Sequence, residues 1–391
     1  MSLISSVSKK KALLPLVAGV AAIGGSALPA SAIAAPHASR TVGQVYLNDN
    51  TAGANTIGAL DRHADGSLTP TAGSPFRAGG AGTGSGLASQ GAVQLSPDGR
   101  FLIAVDAGSN ELSVLRVKDD GTVKLVPSGV VASGGLRPVS VAIHGDLVYV
   151  ANAGDGQSNY TGFRLGADGR LTPIAGSTVA LPDGSQPGDV LFSGDGTRLI
   201  GTRVGTSEID SFTVGEGGLL TASPGSPYTA QGLGPFGSAF RPTDDSQLFV
   251  SNAHDGAGAG TVSAFTDGAD GTLTPIGSSP FANGQTGTCW VEISPDGQTL
   301  FSVNTGTGSI SRYAISADGQ LTLAGNTPVS ATGGVGATDA RLSPNGATLY
   351  VNESRIDAVG SFSVDGTSLT EKAGSPAPLP AGATPAGIVV R

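Results

Sequence analysis

The stretch LSPDGRFLIAVDAGSNELSVLRV, Leu95 to Val117, decides the fold. It contains one apolar strand, Phe101–Val105, and a second, Glu111–Val117, joined by turn formers. An inner strand, Ala92–Leu95, leads into it, and a fourth, Thr122–Val126, leaves it after an Asp-Gly turn. The Ser-Pro-Asp-Gly phrase between the first two strands is a hairpin signal, because Asp-Gly supplies the positive φ of a tight turn. SPDG returns at Ser294, with the variants SGDG at Ser193 and SPNG at Ser343.

Alignment on that position gives Ser96, His144, Ser193, Arg241, Ser294 and Ser343, at spacings of 48, 49, 48, 53 and 49. Another 48 residues lead from Ser343 to Arg391, the last residue. A period this long, with strand-type alternation, marks propeller blades. The expectation is an all-β seven-bladed β-propeller with four antiparallel strands per blade. The first blade is split: three strands near residues 43–70 lack an inner partner, and Ala386–Val390 is an inner strand lacking the rest of a blade. Pairing the C-terminal strand with the N-terminal strands closes the ring and removes exposed edges.

The composition agrees. Of 391 residues 62 are Gly and 24 Pro, and only 13% are charged, which suits many short strands joined by turns. The formal charge of -9 disfavours nucleic acid and anionic membranes as partners. One Cys, Cys289, permits no internal disulfide. Lys9–Lys11 precede an apolar run to about Ala27 and then small residues, which reads as a secretory signal peptide. The expected organisation is a signal peptide over 1–34, a linker over 35–42 and the propeller over 43–391. The expected location is extracytoplasmic, with no membrane span after cleavage and a monomeric state.

Internal repetition separates residues that serve every blade from residues that occur once. Asn ends the second strand in five blades, at Asn48, Asn152, Asn252, Asn304 and Asn352, and reads as a local turn cap. Arg203 replaces it in one blade. Two inner-strand columns run along the central channel, and their charges gather in blades six and seven as Glu292, Asp339 and Arg341, beside Trp290, the only tryptophan. Cys289 is expected to alternate onto the core face with Val291. Two readings stand for the charged group: a polar pocket with a carboxylate base and an arginine anion holder, or a buried Glu292–Arg341 ion pair bracing two blades. Loop residues expected at the same mouth are His254, Glu353, Arg355, Arg137 and Asp189.

No Gly-x-Ser-x-Gly occurs, so there is no nucleophile elbow. The single Gly-x-Gly-x-x-Gly, Gly232 to Gly237, enters a strand and contains Pro235, so it is not a dinucleotide fingerprint. Four scattered His and one Cys make no zinc pattern, and no cofactor is implied. Gly82–Gly86 lacks a phosphate-loop Lys and reads as a mobile surface loop.

From Thr41 to Arg391 the chain resembles the lactonase-like seven-bladed propellers, which include 6-phosphogluconolactonase and carboxymuconate cyclase, and which shade into the YVTN-type surface propellers. The resemblance rests on Leu95–Val117, on YVANAG at Tyr149–Gly154, and on the Asp-Gly-x-Leu-Thr-Pro phrase at Asp65, Asp168 and Asp270. It implies a hydrolase or cyclase of small lactones or carboxylates. Its members tend to carry Gly-Pro-Arg-His opening a later inner strand and Asn-Glu after the second strand. Here those places read Gly234-Pro235-Phe236-Gly237 and Asn252-Ala253, and an Asn-Glu stands instead at Asn352-Glu353. The expected histidines at two earlier inner strands are Ala92 and Val139.

Two functions follow as expectations. In the first, an exported propeller binds a small molecule or cell-envelope partner at one channel mouth, through Trp290, Arg203, His254, Asp339, Asp189 and Arg137. In the second, Glu292 or Glu353 is the base of a lactone-like reaction, and Arg341 or Arg203 holds the oxyanion or carboxylate.

Overall fold

The computed structural model describes residues 39–329 and 336–391. The proposed signal peptide and the first half of the proposed linker, residues 35–38, lie outside the described residues. The described chain forms seven antiparallel sheets around an axis. Blade two shows the unit: Val93–Leu95 innermost, then Phe101–Asp106, Glu111–Val117 and Val123–Ala132 outermost. In five blades the outer strand is interrupted and resumes as a two-residue piece, as at Leu68–Pro70 and Phe76–Arg77. The one helical element among the described residues is the 3-10 turn Glu216–Gly218.

Blade one is the composite. Gly387–Val390 is its inner strand and pairs with Val45–Asn48 of Thr41–Asn48, so the last strand of the chain completes the sheet begun by the first. Both are antiparallel and buried, as a closed ring requires.

The SPDG turn is built by its own side chains. Ser96 Oγ donates to Asp98 Oδ1 at 2.6 Å, Asp98 Oδ1 accepts the Arg100 amide at 3.0 Å, and Ser96 Oγ accepts the Phe101 amide at 3.0 Å. Gly99 takes φ +68°, a conformation that side chains resist. The same Ser-to-Asp bond recurs at Ser193 and Ser294, and Ser343 makes it to Asn345 at 2.8 Å.

Blades are joined by packing and by a repeated phenol bond. Tyr46, Tyr149 and Tyr350 are fully buried on second strands. Each hydroxyl donates to a turn carbonyl of the following blade: Gly121 at 2.8 Å, Gly218 at 2.7 Å and Gly66 at 3.3 Å. A buried ion pair, Arg198 Nε to Asp267 Oδ2 at 2.9 Å, joins blades four and five. The strand-end asparagines do more than cap. Asn48 Nδ2 reaches out of its blade to the carbonyls of Ala92 and Val105, while Asn252 and Asn304 bond hydroxyls on their own third strands.

The channel is not open. The connection from blade one to blade two, Ala78–Ala92, has fifteen residues where the connections into blades three, five and six have five. Its first half, expected as a mobile loop, is tied down. Gly79 and Ala81 amides donate to Ser113 and Ser109, and Asn50 accepts the Thr83 amide at 2.8 Å. Gly82 passes so close to Asn50 that a Cβ would stand 2.2 Å from its carbonyl carbon.

The second half of the connection then crosses the axis. Ser89 Oγ donates to Val139 O of blade three, and the Gln90 amide to Gly188 O of blade four. Gln90 Nε2 donates to Ser238 O of blade five at 2.7 Å, and its Oε1 accepts the Val291 amide of blade six at 3.1 Å. Trp290 Nε1 donates to Ser89 O at 2.8 Å, and the Gly91 backbone lies against Asp339 of blade seven. One short segment therefore bonds or touches the inner strands of blades three to seven.

Several carboxyls are buried around this centre and in the blade interfaces. Desolvation pushes Asp49, Asp189 and Glu353 up to about 7, and Asp339 up to about 6. The exposed turn carboxylates behave oppositely: hydrogen bonds from Ser96 and Ser294 hold Asp98 and Asp296 below the usual range.

Gln90→Ala strands the Ser238 carbonyl and the Val291 amide in the core, so it costs about 2–5 kcal/mol in urea unfolding; a loss below 0.5 kcal/mol, as an order-of-magnitude floor, rejects the plug as a structural element. A group whose folded pKa is raised contributes stability at low pH and loses it as pH rises through that pKa. The melting temperature is therefore highest near pH 4, about the ordinary carboxyl pKa. It falls towards pH 8 as Asp49, Asp189, Asp339 and Glu353 ionise, and falls below pH 4 as the turn aspartates protonate. A Tm that climbs from pH 5 to pH 8 contradicts this order.

Candidate functional site

The plug divides the channel into two chambers, and the sequence-derived candidates fall on both sides of it. Strands advance about 3.3 Å per residue, so Glu292 lies about two such steps beyond Trp290 towards the SPDG turns. The single mouth expected from the sequence is two mouths.

The chamber at the SPDG end encloses ≈ 370 Å³. Its polar wall is Gln94, Glu292 and Arg341, facing Leu191, Ala239 and Phe240. Glu292 and Arg341 are 19% exposed each and form an ion pair at 2.9 Å. Glu292 Oε1 also accepts the Leu342 amide at 3.0 Å, so its carboxylate holds both the side chain and the backbone of the next blade. A carboxylate committed in this way is a poor general base, because a base needs a lone pair directed at a substrate proton. The bracing alternative is therefore what the geometry displays.

The chamber at the opposite end encloses ≈ 260 Å³. Trp290, Leu87 and Ala386 supply its apolar surface, and Ser89, Thr338 and Ser354 its hydroxyls. Among the described residues no ionisable side chain lines it. Trp290 is 6% exposed, pinned by its bond to Ser89 and packed edge-on to Phe236 at 4.9 Å between centroids. Thr338 and Ser354 hydroxyls donate to backbone carbonyls at 3.4 and 3.0 Å, which leaves their oxygen lone pairs for a ligand.

The remaining candidates lie elsewhere. Arg203 is buried in blade four, with Nε on Asp210 at 2.7 Å and Nη1 on Glu208 at 3.0 Å, so it serves its own blade and not a ligand. Asp189 accepts the Ser238 amide and hydroxyl at 2.9 and 2.6 Å and sits at plug level. Asp339 is at the same level, with Oδ2 unpartnered among the described residues. Glu353 is fully buried, with neither oxygen bonded among the described residues, packed against Gly360 and away from both chamber walls. Its high pKa comes from that apolar setting, and no path leads from it to a substrate. Arg137, His254 and Arg355 are exposed rim residues on the Trp290 side. A bulge between Thr288 and Trp290 breaks the alternation at Cys289, which packs partly buried against the Trp290 cluster instead of beside Val291. Burial pushes its thiol up to about 11, so it is inert at neutral pH.

Sequence reasoning missed Ser89, Gln90 and the wall residues Thr338 and Ser354. The length of the blade-one connection was the available signal for the first two. For the hydroxyls there was none, because Ser and Thr are ordinary at strand ends.

Among the described residues no cluster of three or more His, Cys, Asp or Glu is placed to hold a metal ion, and no helix is long and apolar enough to cross a membrane. Among curated proteins no relative is found. Solved structures of the same fold include a putative 6-phosphogluconolactonase from Bacteroides uniformis, 20% identical with a TM-score of 0.73 over 90% of this chain and 100% of that one. A periplasmic gluconolactonase from Pseudomonas aeruginosa is 18% identical, with a TM-score of 0.71 over 89% of this chain and 98% of that one. At these identities the likeness is one of fold. The family model described as "Lactonase, 7-bladed beta-propeller" matches residues 54–187 and 131–378. The sheets, the closing strand and this match agree: the chain belongs to the lactonase family of seven-bladed β-propellers.

Proposed function

We propose that the protein is an exported, non-catalytic member of this family that binds a small uncharged molecule in the Trp290 chamber. The observation that carries the reading is the plug. Ser89 and Gln90 place Trp290 and the nearby hydroxyls on one side of the channel, and the Glu292–Arg341 pair on the other. The Trp290 chamber has an indole wall and hydroxyls for orientation, and among the described residues no ionisable acid or base on its lining to activate them. Export rests on the lysines and apolar run at Lys9–Ala27.

Family membership favours a second reading, a hydrolase or cyclase of a small lactone or carboxylate. That reading requires Glu292 to leave Arg341, and it inherits the absence of the family's Arg, His and Glu at Phe236, Gly237 and Ala253.

The sole tryptophan makes the first reading directly testable. Titration of the mature protein with δ-valerolactone and cyclohexanol is expected to give a saturable change in indole emission, with no base uptake in a pH-stat. Base uptake that vanishes in both Glu292→Gln and Arg341→Ala, with folding retained, establishes the hydrolase instead. Expression in a bacterial host with N-terminal sequencing of the exported fraction is expected to show cleavage between Ala30 and Ala35. Retention of Met1 or Ser2 in an unprocessed cytoplasmic product rejects export.

A further inference from the structure

The chamber at the SPDG end has no part in the proposed function, yet it is not merely a brace. We propose that it is a second, independent binding site, for an uncharged polyol that presents hydroxyls along one edge and a carbon face on the other.

The wall has two unlike halves. Glu292 and Arg341, from blades six and seven, and Gln94, from blade two, make the polar half. Leu191 and Ala239, from blades four and five, with Phe240 beside them, make the apolar half. Within the polar half, hydrogen-bonding capacity is left over. Among the described residues Arg341 uses only Nη1, on Glu292, which leaves its Nε and Nη2 as donors. The Gln94 amide, on the same wall, has no partner for its oxygen or its nitrogen among the described residues. Gln90, by contrast, is fully committed to the plug.

The charge pattern selects the ligand class. The ionised lining groups are Arg241, Arg341, Asp245 and Glu292, two of each sign. Arg241 spends Nε on Gly297 O and Nη1 on Gln247 and Ser316, and Asp245 accepts the Asp195 amide, so both are structural. Arg341 is already neutralised by Glu292 at 2.9 Å, so an anion gains little there and meets the Glu292 carboxylate. A cation has only Glu292 to meet, with Arg341 in contact. Hydroxyl groups fit best, because each both donates and accepts: one can bridge a carboxylate oxygen and a guanidinium N–H, and a neighbour can take both ends of the Gln94 amide. Carbon-bound hydrogens of the same molecule cover Leu191, Ala239 and Phe240. The volume of ≈ 370 Å³ accommodates a single six-membered ring.

The test uses myo-inositol and D-glucose as uncharged probes, D-gluconate as an anion and D-glucosamine as a cation, followed by calorimetry and by Trp290 emission. Gln94→Leu is the informative variant, since its amide supports no other part of the protein. Saturable binding of at least one uncharged probe is expected, weakened at least tenfold by Gln94→Leu, at least tenfold tighter than D-gluconate or D-glucosamine, and without change in emission, because the plug lies between probe and indole. Three results overturn the proposal: no saturable binding of either uncharged probe, tighter binding of a charged probe, or binding that survives Gln94→Leu while altering Trp290 emission. The last places the polyol in the other chamber. A failure here leaves the lactone and cyclohexanol titrations untouched.

Discussion

Seven sheets around one axis need a closure between the first and the last, and a sheet shared by the two chain ends supplies it with hydrogen bonds. Gly387–Val390 meets that constraint by pairing with Val45–Asn48. An unclosed ring would leave two long buried-type edges in water, each a row of unpaired amides and carbonyls. Closure also fixes the radius. Once seven inner strands stand around the axis, the space between them is too narrow for a free loop and too wide to be filled by Ala, Gly and Val alone. The fifteen-residue connection into blade two fills it, and Gln90 can bond three different blades because closure brings their strand edges to one place.

That arrangement explains why the central polar residues behave as they do. Asp189 and Asp339 resist ionisation because the plug excludes water from them; Asp189 is compensated by Ser238 and Ser140, while Asp339 keeps one oxygen without a partner. Glu292 and Arg341 lie one step further out, where water returns, and there a charged pair costs less to keep. The transition from buried carboxyls that resist ionisation to a partly exposed ion pair occurs over two residues of strand, about 7 Å. Position along the axis, rather than residue type, sets the chemistry of each group.

The sequence disclosed the ring well because the information was repeated. The SPDG phrase, the anchor spacing and the orphan strand at Ala386–Val390 each report local hydrogen bonding that a reader can infer from residue types. The site was legible only in part. Glu292, Arg341 and Trp290 were found as breaks in the repeat, and all three line chambers. Their grouping at one mouth failed because a period-two reading gives the face of a strand but not which chamber a given height opens into. Arg203 was misleading for a different reason: its partners Asp210 and Glu208 lie on the third strand of its own blade, so a singular residue can be compensated locally by another singular residue. Gln90 was hidden because a segment that serves the whole ring occurs once and repeats nothing.

In a repeat protein, function has to be placed where symmetry is lost, and here symmetry is lost in two ways with different consequences. Substitutions within the frame, such as Glu292 and Arg341, keep the backbone and change only what a wall presents. Insertions between frames, such as Ala78–Ala92, change the topology of the channel itself. The second kind dominates, because a plug bonded to Val139, Gly188, Ser238 and Val291 decides which wall residues a ligand can reach together. A catalytic site across this channel would need the base of blade six and the indole of the same strand to touch one substrate. Ser89 and Gln90 stand between them. The proposed binding in two separate chambers is compatible with such a partition, and it requires no residue that the chain lacks.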